Sequence, residues 1–253
     1  MLSKSKIKLI NQLKLKKYRQ LNNMFFVEGT KGTQDFLTSN IPLVELFATQ
    51  EWVDKHNINR TGVSATIISK KEIKKVSALS TPSDVLAIFE LPKTKLLKSI
   101  DSENLCIALD NISDPGNLGT IIRTADWFGI NNIFCSRDTV DAFNPKVVQA
   151  TMGSLARVNI AYVNLEELLK SRPDGIPVFG ALLDGQPLNE IGPQKKGIIL
   201  IGSEAHGISK ELLPTVDNKI TIPLLNSSNS SRPESLNASV ATAIICYALK
   251  ISS

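Results

Sequence analysis

The sequence predicts an α/β protein built on a parallel sheet with helices on both faces, preceded by a small basic α/β unit. Three observations carry this. From Leu105 onward, short continuous apolar runs alternate with helical segments, the pattern of strands buried on both faces. Basic residues crowd the front: residues 1–100 hold 17 Lys plus Arg against 8 Asp plus Glu, a net of +9, while residues 101–253 hold 12 against 16, a net of −4. Between the two patterns, Leu91 to Glu103 (LPKTKLLKSIDSE) combines Pro92 with three lysines and little periodicity, the composition of a linker. Two domains are therefore expected, residues 1–98 and residues 99–253.

The first element is a basic helix in which Lys4, Lys6, Lys8, Lys14, Lys16, Lys17 and Arg19 precede the first acid, Glu28. A surface of this sign meets a polyanion, or is simply a solvated face. A strand from Phe25 to Glu28 follows, then Gly29 and Gly32. Strand-like Leu43–Phe47, Ala65–Ile68 and Val85–Phe89 alternate with helical pieces. In the second half Leu105–Leu109 is a strand, Asp110–Gly119 a polar loop with Gly and Pro, and a helix runs from about Leu118 to Phe128. Further strands are expected at Ile133–Cys135, Val158–Val163, Val178–Leu182 and Ile198–Ile201, with helices at Pro145–Leu155 and Leu165–Ser171. The last helix, Leu236–Ile251, contains ASVATAIICYAL and is apolar nearly all round, so it lies in the core or against another subunit.

At 253 residues, 42% hydrophobic and 21% charged, the composition excludes a disordered or fibrous chain. No apolar run approaches a bilayer's thickness, and the Lys-rich start has no apolar core of a signal peptide, so a soluble, cytoplasmic protein is expected. A mitochondrial presequence is the weaker reading, because such peptides are Arg- and Ser-rich. Cys106, Cys135 and Cys246 are odd in number, lie in apolar stretches and form no C-x-x-C, and His56 and His206 are far apart; reduced core thiols and no metal are expected.

In open parallel sheets ligands sit beyond the carboxyl ends of the strands, so chemistry belongs in the loops there. The first loop region, Leu109 to Ile130, carries Gly116 and Gly119, expected to let the backbone turn tightly before a helix whose amides form an anion site, with Arg123 able to fork onto a phosphate. Neither G-x-G-x-x-G nor G-x-x-x-x-G-K-[ST] occurs, which removes the dinucleotide and P-loop readings. The second, Ile198 to Ser209, runs through Gly202, Glu204 and Gly207. The third, Ile220 to Ala243, leads to Ser235, a good N-cap for the last helix, and to Asn237, a polar side chain at the mouth of the site.

In this order and at these separations the three segments resemble the SpoU/TrmH family of S-adenosylmethionine-dependent RNA ribose methyltransferases, of the SPOUT class. DPGNLGTIIRTA is similar to its first motif, LIGSEAHGIS to its second, and TIP followed by SLNASVA to its third. FFVEGTKGTQDFL and TPSDVLAIF resemble the small RNA-binding substrate domain, of ribosomal-protein-like fold, that precedes many of these catalytic domains. The resemblance implies an α/β domain with a trefoil knot, a homodimer, S-adenosylmethionine as cofactor and RNA as partner, with ribosomal RNA favoured over transfer RNA. It implies that Gly202, Ile222 and Leu236 line the cofactor, with Gly207 supporting the loop, and that Asn117, Arg123, Glu204, Ser235 and Asn237 are the polar active-site positions. A guanidinium stays protonated in proteins, so Arg123 is read first as holding phosphate and stabilising the developing alkoxide, and only second as a proton acceptor. One departure is the eleven-residue stretch LLNSSNSSRPE between Pro223 and Ser235, longer than is common in the family; Asn226–Glu234 is expected to be a loop beside the cofactor, either an inert bulge or, the favoured reading, a substrate-facing lid. A non-catalytic RNA-binding dimer, and a metabolic enzyme using another nucleotide, are the competing readings.

Overall fold

The computed structural model describes residues 1–58, 62–92, 100–224 and 235–251; residues 93–99 of the expected linker and the Asn226–Glu234 segment lie outside the described residues. Two compact units are formed, one from Met1–Lys93 with Asp141–Arg157, the other from Thr94–Val140 with Val158–Ser253. The first thus takes in a stretch from well beyond residue 98.

In place of one basic helix the chain makes two, α1 (Lys4–Gln12) and α2 (Lys16–Asn22), parted at Leu13 to Leu15. Ser3 caps α1 by accepting from the Lys6 amide. The sheet of this unit is β1 (Met24–Glu28), β2 (Leu43–Ala48), β3 (Ala65–Ile67) and β4 (Val85–Glu90), in the order β1-β4-β2-β3. The pairs of β4 are antiparallel and that of β2 with β3 is parallel. Between the strands lie α3 (Thr30–Leu37), α4 (Gln50–His56) and α5 (Lys70–Val76). Alternation along the strands sends Phe26, Phe47, Leu86 and Ile88 into a core closed by Ile10 and Leu13 of the first segment and Ile73 and Val76 of α5. Phe25 and Phe89 join another cluster with Phe36 of α3 and Phe143, the Phe25 and Phe143 rings lying 4.8 Å apart.

Arg19 is not part of a solvated basic face. It is 2% exposed, donates from Nε to Asp141 Oδ2 at 3.1 Å, and gives Nη1 to the carbonyls of Leu13 and Lys14. Lys6 pairs with Glu45, and Lys14 donates to the Ser77 carbonyl at 2.9 Å. Burial pushes the Lys14 ammonium pKa below its usual value, with Glu28 opposing the shift.

The second unit is the expected parallel sheet, with six strands: β5 (Leu105–Leu109), β6 (Asn132–Cys135), β7 (Asn159–Tyr162), β8 (Val178–Pro187), β9 (Gly197–Ile201) and β10 (Asn218–Thr221), in the order β10-β8-β9-β5-β6-β7. Every pairing is parallel. Its helices are α6 (Pro115–Trp127), α8 (Leu165–Lys170) and α9 (Ala238–Lys250); α7 (Pro145–Ala150) belongs to the first unit. Cys106, Ala108, Phe134, Val178, Ile198 and Leu200 build a dry core with Leu165 and Leu169 of α8. All three cysteines are buried and unpaired; burial pushes Cys106 and Cys246 up to about 12 and raises Cys135 further still.

Two local expectations are corrected. The helix after β5 begins at Pro115, not near Leu118, because Asp114 caps it by accepting from the Asn117 amide and proline suits the first helical position. Gly116 and Gly119 are thus helical, and the turn out of β5 uses Asn111 in the left-handed region at φ 57°. The last helix begins at Ala238, and its cap is Asn237, not Ser235.

Candidate active site

The carboxyl ends of β5 and β9 lie side by side in the sheet, so the segments that leave them are neighbours. Buried Asp110, the first residue after β5, accepts from the Ser209 amide through Oδ2 at 2.7 Å and donates its own amide to the Ile201 carbonyl. An acid directly after an apolar strand was the signal for this tie, and the sequence reading passed over it.

After β9 the backbone closes on itself. The Ser203 amide donates to the Gly207 carbonyl at 3.0 Å and the Gly207 amide returns to the Ser203 carbonyl at 2.9 Å. Gly207 takes φ +66°, which glycine adopts without strain. A Cβ on Gly202 would lie 2.0 Å from the Gly207 carbonyl carbon and 2.2 Å from the Ile208 nitrogen. Glycine is needed here for the loop to close upon itself, whatever approaches it from outside. The closed loop carries Glu204 in its turn.

Glu204 is where the three segments meet. Its Oε1 accepts from Asn117 Nδ2 at 2.8 Å, from Asn237 Nδ2 at 2.7 Å and from the Ala238 amide at 3.3 Å. Asn237 Nδ2 also donates to Asn117 Oδ1 at 2.9 Å. The other end of the Asn237 side chain caps α9, its Oδ1 accepting from the Ser239 and Val240 amides and the Ser239 hydroxyl. Asn237 is thus cap and bridge at once, and the Glu204 carboxylate sits against the positive end of the α9 dipole. Asn117 is buried in the first turn of α6 while Glu204 and Asn237 are exposed, so the cluster opens to solvent from a fixed floor.

The remaining expected residues stand outside that cluster. Arg123, six positions after Asn117 and hence on another side of α6, is exposed and makes no side-chain hydrogen bond or ion pair among the described residues. Ser235 and Leu236 are exposed just before the cap, and half-buried Ile222 follows β10 at the same end of the sheet. No group of three or more metal-ligating side chains occurs among the described residues, and none of their helices is long and apolar enough to cross a membrane.

A family model for the SpoU rRNA methylase family matches residues 104–247, which holds all three segments and more than half of the chain. The chain belongs to the SpoU rRNA methylase family. In this SpoU-family chain the front is matched separately, at residues 4–87, by a model for the MRM3-like substrate binding domain. It is 30% identical over 247 residues to the 23S rRNA (guanosine(2553)-2'-O)-methyltransferase RlmP of Bacillus subtilis, covering 97% of this chain and 96% of that one. Among solved structures it is similar to a putative RNA methyltransferase of the TrmH family from Porphyromonas gingivalis, with TM-score 0.84, 36% identity and coverage of 99% and 98%. It is also similar to an AdoMet-bound rRNA methyltransferase from Sinorhizobium meliloti, with TM-score 0.82, 31% identity and coverage of 98% and 95%.

Proposed function

We propose that this protein transfers a methyl group from S-adenosylmethionine to a ribose 2'-hydroxyl in structured RNA, ribosomal RNA before transfer RNA. The observation that carries the reading is the convergence of Asn117 and Asn237 on one oxygen of Glu204, which joins the three family motifs into one polar cluster. The full-length likeness to a 23S rRNA 2'-O-methyltransferase supports both the reaction and the choice of RNA.

The residues present suit the cofactor. The main chain of the Gly202–Gly207 loop, half-buried Ile222 and exposed Leu236 offer backbone polar groups and apolar side chains at the same end of the sheet as the cluster, a mixture fitted to a purine, a ribose and an amino-acid tail. Bound S-adenosylmethionine supplies a methyl already activated on a sulfonium, so the chain's task is alignment of the ribose oxygen and management of its proton. Asn117 and Asn237 hold Glu204 by one carboxylate oxygen and leave Oε2 to orient substrate. Arg123, without a side-chain hydrogen bond or ion pair among the described residues, holds an RNA phosphate and stabilises the developing alkoxide, with proton acceptance second. Ser235 adds a hydroxyl beside the cap.

The catalytic domain, residues 99–253, is read as trefoil-knotted because the family resemblance implies it, and the packing of α9 against α6 and β9 is compatible with that reading. The protein is read as a cytoplasmic homodimer. Val240, Ile244 and Tyr247 follow one another at helical spacing along the outer side of α9 and, with Ile251 just past its end, are all at least 39% exposed, an apolar stripe that a second copy would cover. The front domain, residues 1–98, is read as the RNA-binding part.

Calorimetry should show binding of S-adenosylmethionine and its demethylated product to the folded protein, and ribosomal RNA from cells lacking the protein should lose a 2'-O-methyl mark. Absence of cofactor binding would overturn the methyltransferase reading, and an unchanged ribosomal map with a lost transfer RNA mark would overturn the choice of RNA.

A further inference from the structure

We propose that the outer surface of α1 and α5 is a docking face for the sugar-phosphate backbone of a helical RNA segment, contacted by Lys4, Lys8, Lys71, Lys74 and Lys75. The proposal rests on the RNA reading above and goes beyond it by naming the face and the form of RNA.

The two helices cover the same side of the front sheet and are tied to each other. The Leu2 amide donates to Glu72 Oε1 at 2.7 Å, and Asn11 Nδ2 donates to the Lys75 carbonyl at 3.2 Å. Because Lys4, Lys8 and Asn11 follow one another at helical spacing, the contact of Asn11 with Lys75 places the Lys4–Lys8 edge of α1 along α5. On these two helices the acids are already used. α1 has none, and Glu72 of α5 is occupied by the Leu2 and Ser69 amides and the Ser69 hydroxyl. Of the other lysines here, Lys6 pairs with Glu45, Lys14 reaches the Ser77 carbonyl, and Lys70 pairs with Glu51 and Asp84. Lys4, Lys8, Lys71, Lys74 and Lys75 are exposed and make no side-chain hydrogen bond or ion pair among the described residues.

Lys4 with Lys8, and Lys71 with Lys75, are like-charge pairs one turn apart, an arrangement that weakens a helix rather than supporting it. A polyanion reverses the sign of that effect. Lysine presents a point charge on a flexible stem, not the fork that reads a base edge, so the face positions RNA without reading its sequence. Neither KSKIKLINQ nor KKEIKKV contains an aromatic residue on which an unpaired base could stack, which favours a duplex backbone over a single strand.

The test uses the full-length protein, a hairpin RNA and a single strand of equal length, with affinity followed against salt. Neutralising two contacts by Lys8→Gln with Lys74→Gln should weaken hairpin binding roughly tenfold at about 0.1 M salt and flatten the slope of log affinity on log salt by about 2. Lys195→Gln with Lys196→Gln, just before β9 at the opposite end of the sheet from the candidate site, removes the same charge and should change neither by as much. Calorimetry with S-adenosylmethionine should give wild-type affinity for both variants, which separates a lost contact from a lost fold. Equal losses in the two variants, no loss in the first, or tighter binding of the single strand would overturn the proposal. If the wild type binds cofactor but neither RNA, the RNA reading itself fails.

Discussion

At Glu204 three donors share one carboxylate oxygen, and what each contributes can be separated by chemistry. Glu204→Gln keeps an acceptor for Asn117 and Asn237 but turns the other oxygen into a donor. Methyl transfer should fall at least tenfold while cofactor affinity stays within a few-fold, as calorimetry and a tritium-transfer assay would show. Arg123 belongs to the same scale and behaves differently, because no side chain among the described residues holds it. Arg123→Ala should abolish transfer at unchanged melting temperature. Arg123→Lys separates the roles: appreciable residual activity marks phosphate holding, and full activity shows that the fork is irrelevant. Gly202 was legible as a glycine that matters, yet for a reason only the folded loop reveals. Its missing Cβ makes room for the loop's own Gly207 and Ile208 backbone, so Gly202→Val should lose cofactor binding through collapse of the loop and lower the melting temperature as well.

Among the elements, α9 shows what pattern could and could not disclose. Its apolar composition announced a helix in the core or against another subunit; one side is buried, while Val240, Ile244 and Tyr247 are exposed. The start was misplaced because Ser235 and Asn237 are both good caps, and only the position of Glu204 decides which side chain turns to the helix. Asn237→Ala should cost about 1 kcal/mol as a lost cap. Asn237→Ser restores the cap without the second arm, so stability should recover in thermal melts while transfer stays impaired. The same logic displaced the start of α6: Asp114-Pro115 is a helix-start signal that the glycines beside it obscured. At α5 the capping box of Ser69 and Glu72 was also readable, but the Leu2 amide on Glu72 was not, since it joins residues 70 apart. The Ser69 amide, the Leu2 amide and the Ser69 hydroxyl together hold the Glu72 carboxyl down at about 2, from an ordinary 4.5. A depressed carboxyl stabilises the fold above its unfolded value and loses that contribution as pH falls through its folded value. Glu72→Gln should therefore melt below wild type at pH 7, with the gap closing between about pH 4.5 and about pH 2.

The alternation of apolar strands with helices fixed the parallel sheet of the second unit, because period and run length are local. The membership of Asp141–Arg157 in the first unit is not local and had no signature in the sequence. It rests on contacts between residues more than a hundred positions apart, among them Phe25 with Phe143 and the ion pairs of Arg19 with Asp141 and Arg157 with Asp35. Removing one partner of a buried pair leaves an uncompensated charge and costs roughly 3–5 kcal/mol. Asp141→Asn should lower stability on that order in urea titration, although Asp141 lies outside the polar cluster of the site. Deleting residues 1–98 takes away Arg19, Phe25 and the surface that covers Val147 and Val148, so the remaining chain exposes a segment built to be buried. The truncated protein should lose RNA affinity, as the charge division requires, and should also aggregate or melt well below the intact chain. Placing Asp or Ser at positions 143 and 147 should restore its solubility without restoring RNA binding. A truncated form that melts with the intact protein would show that Asp141–Arg157 stands without the front domain.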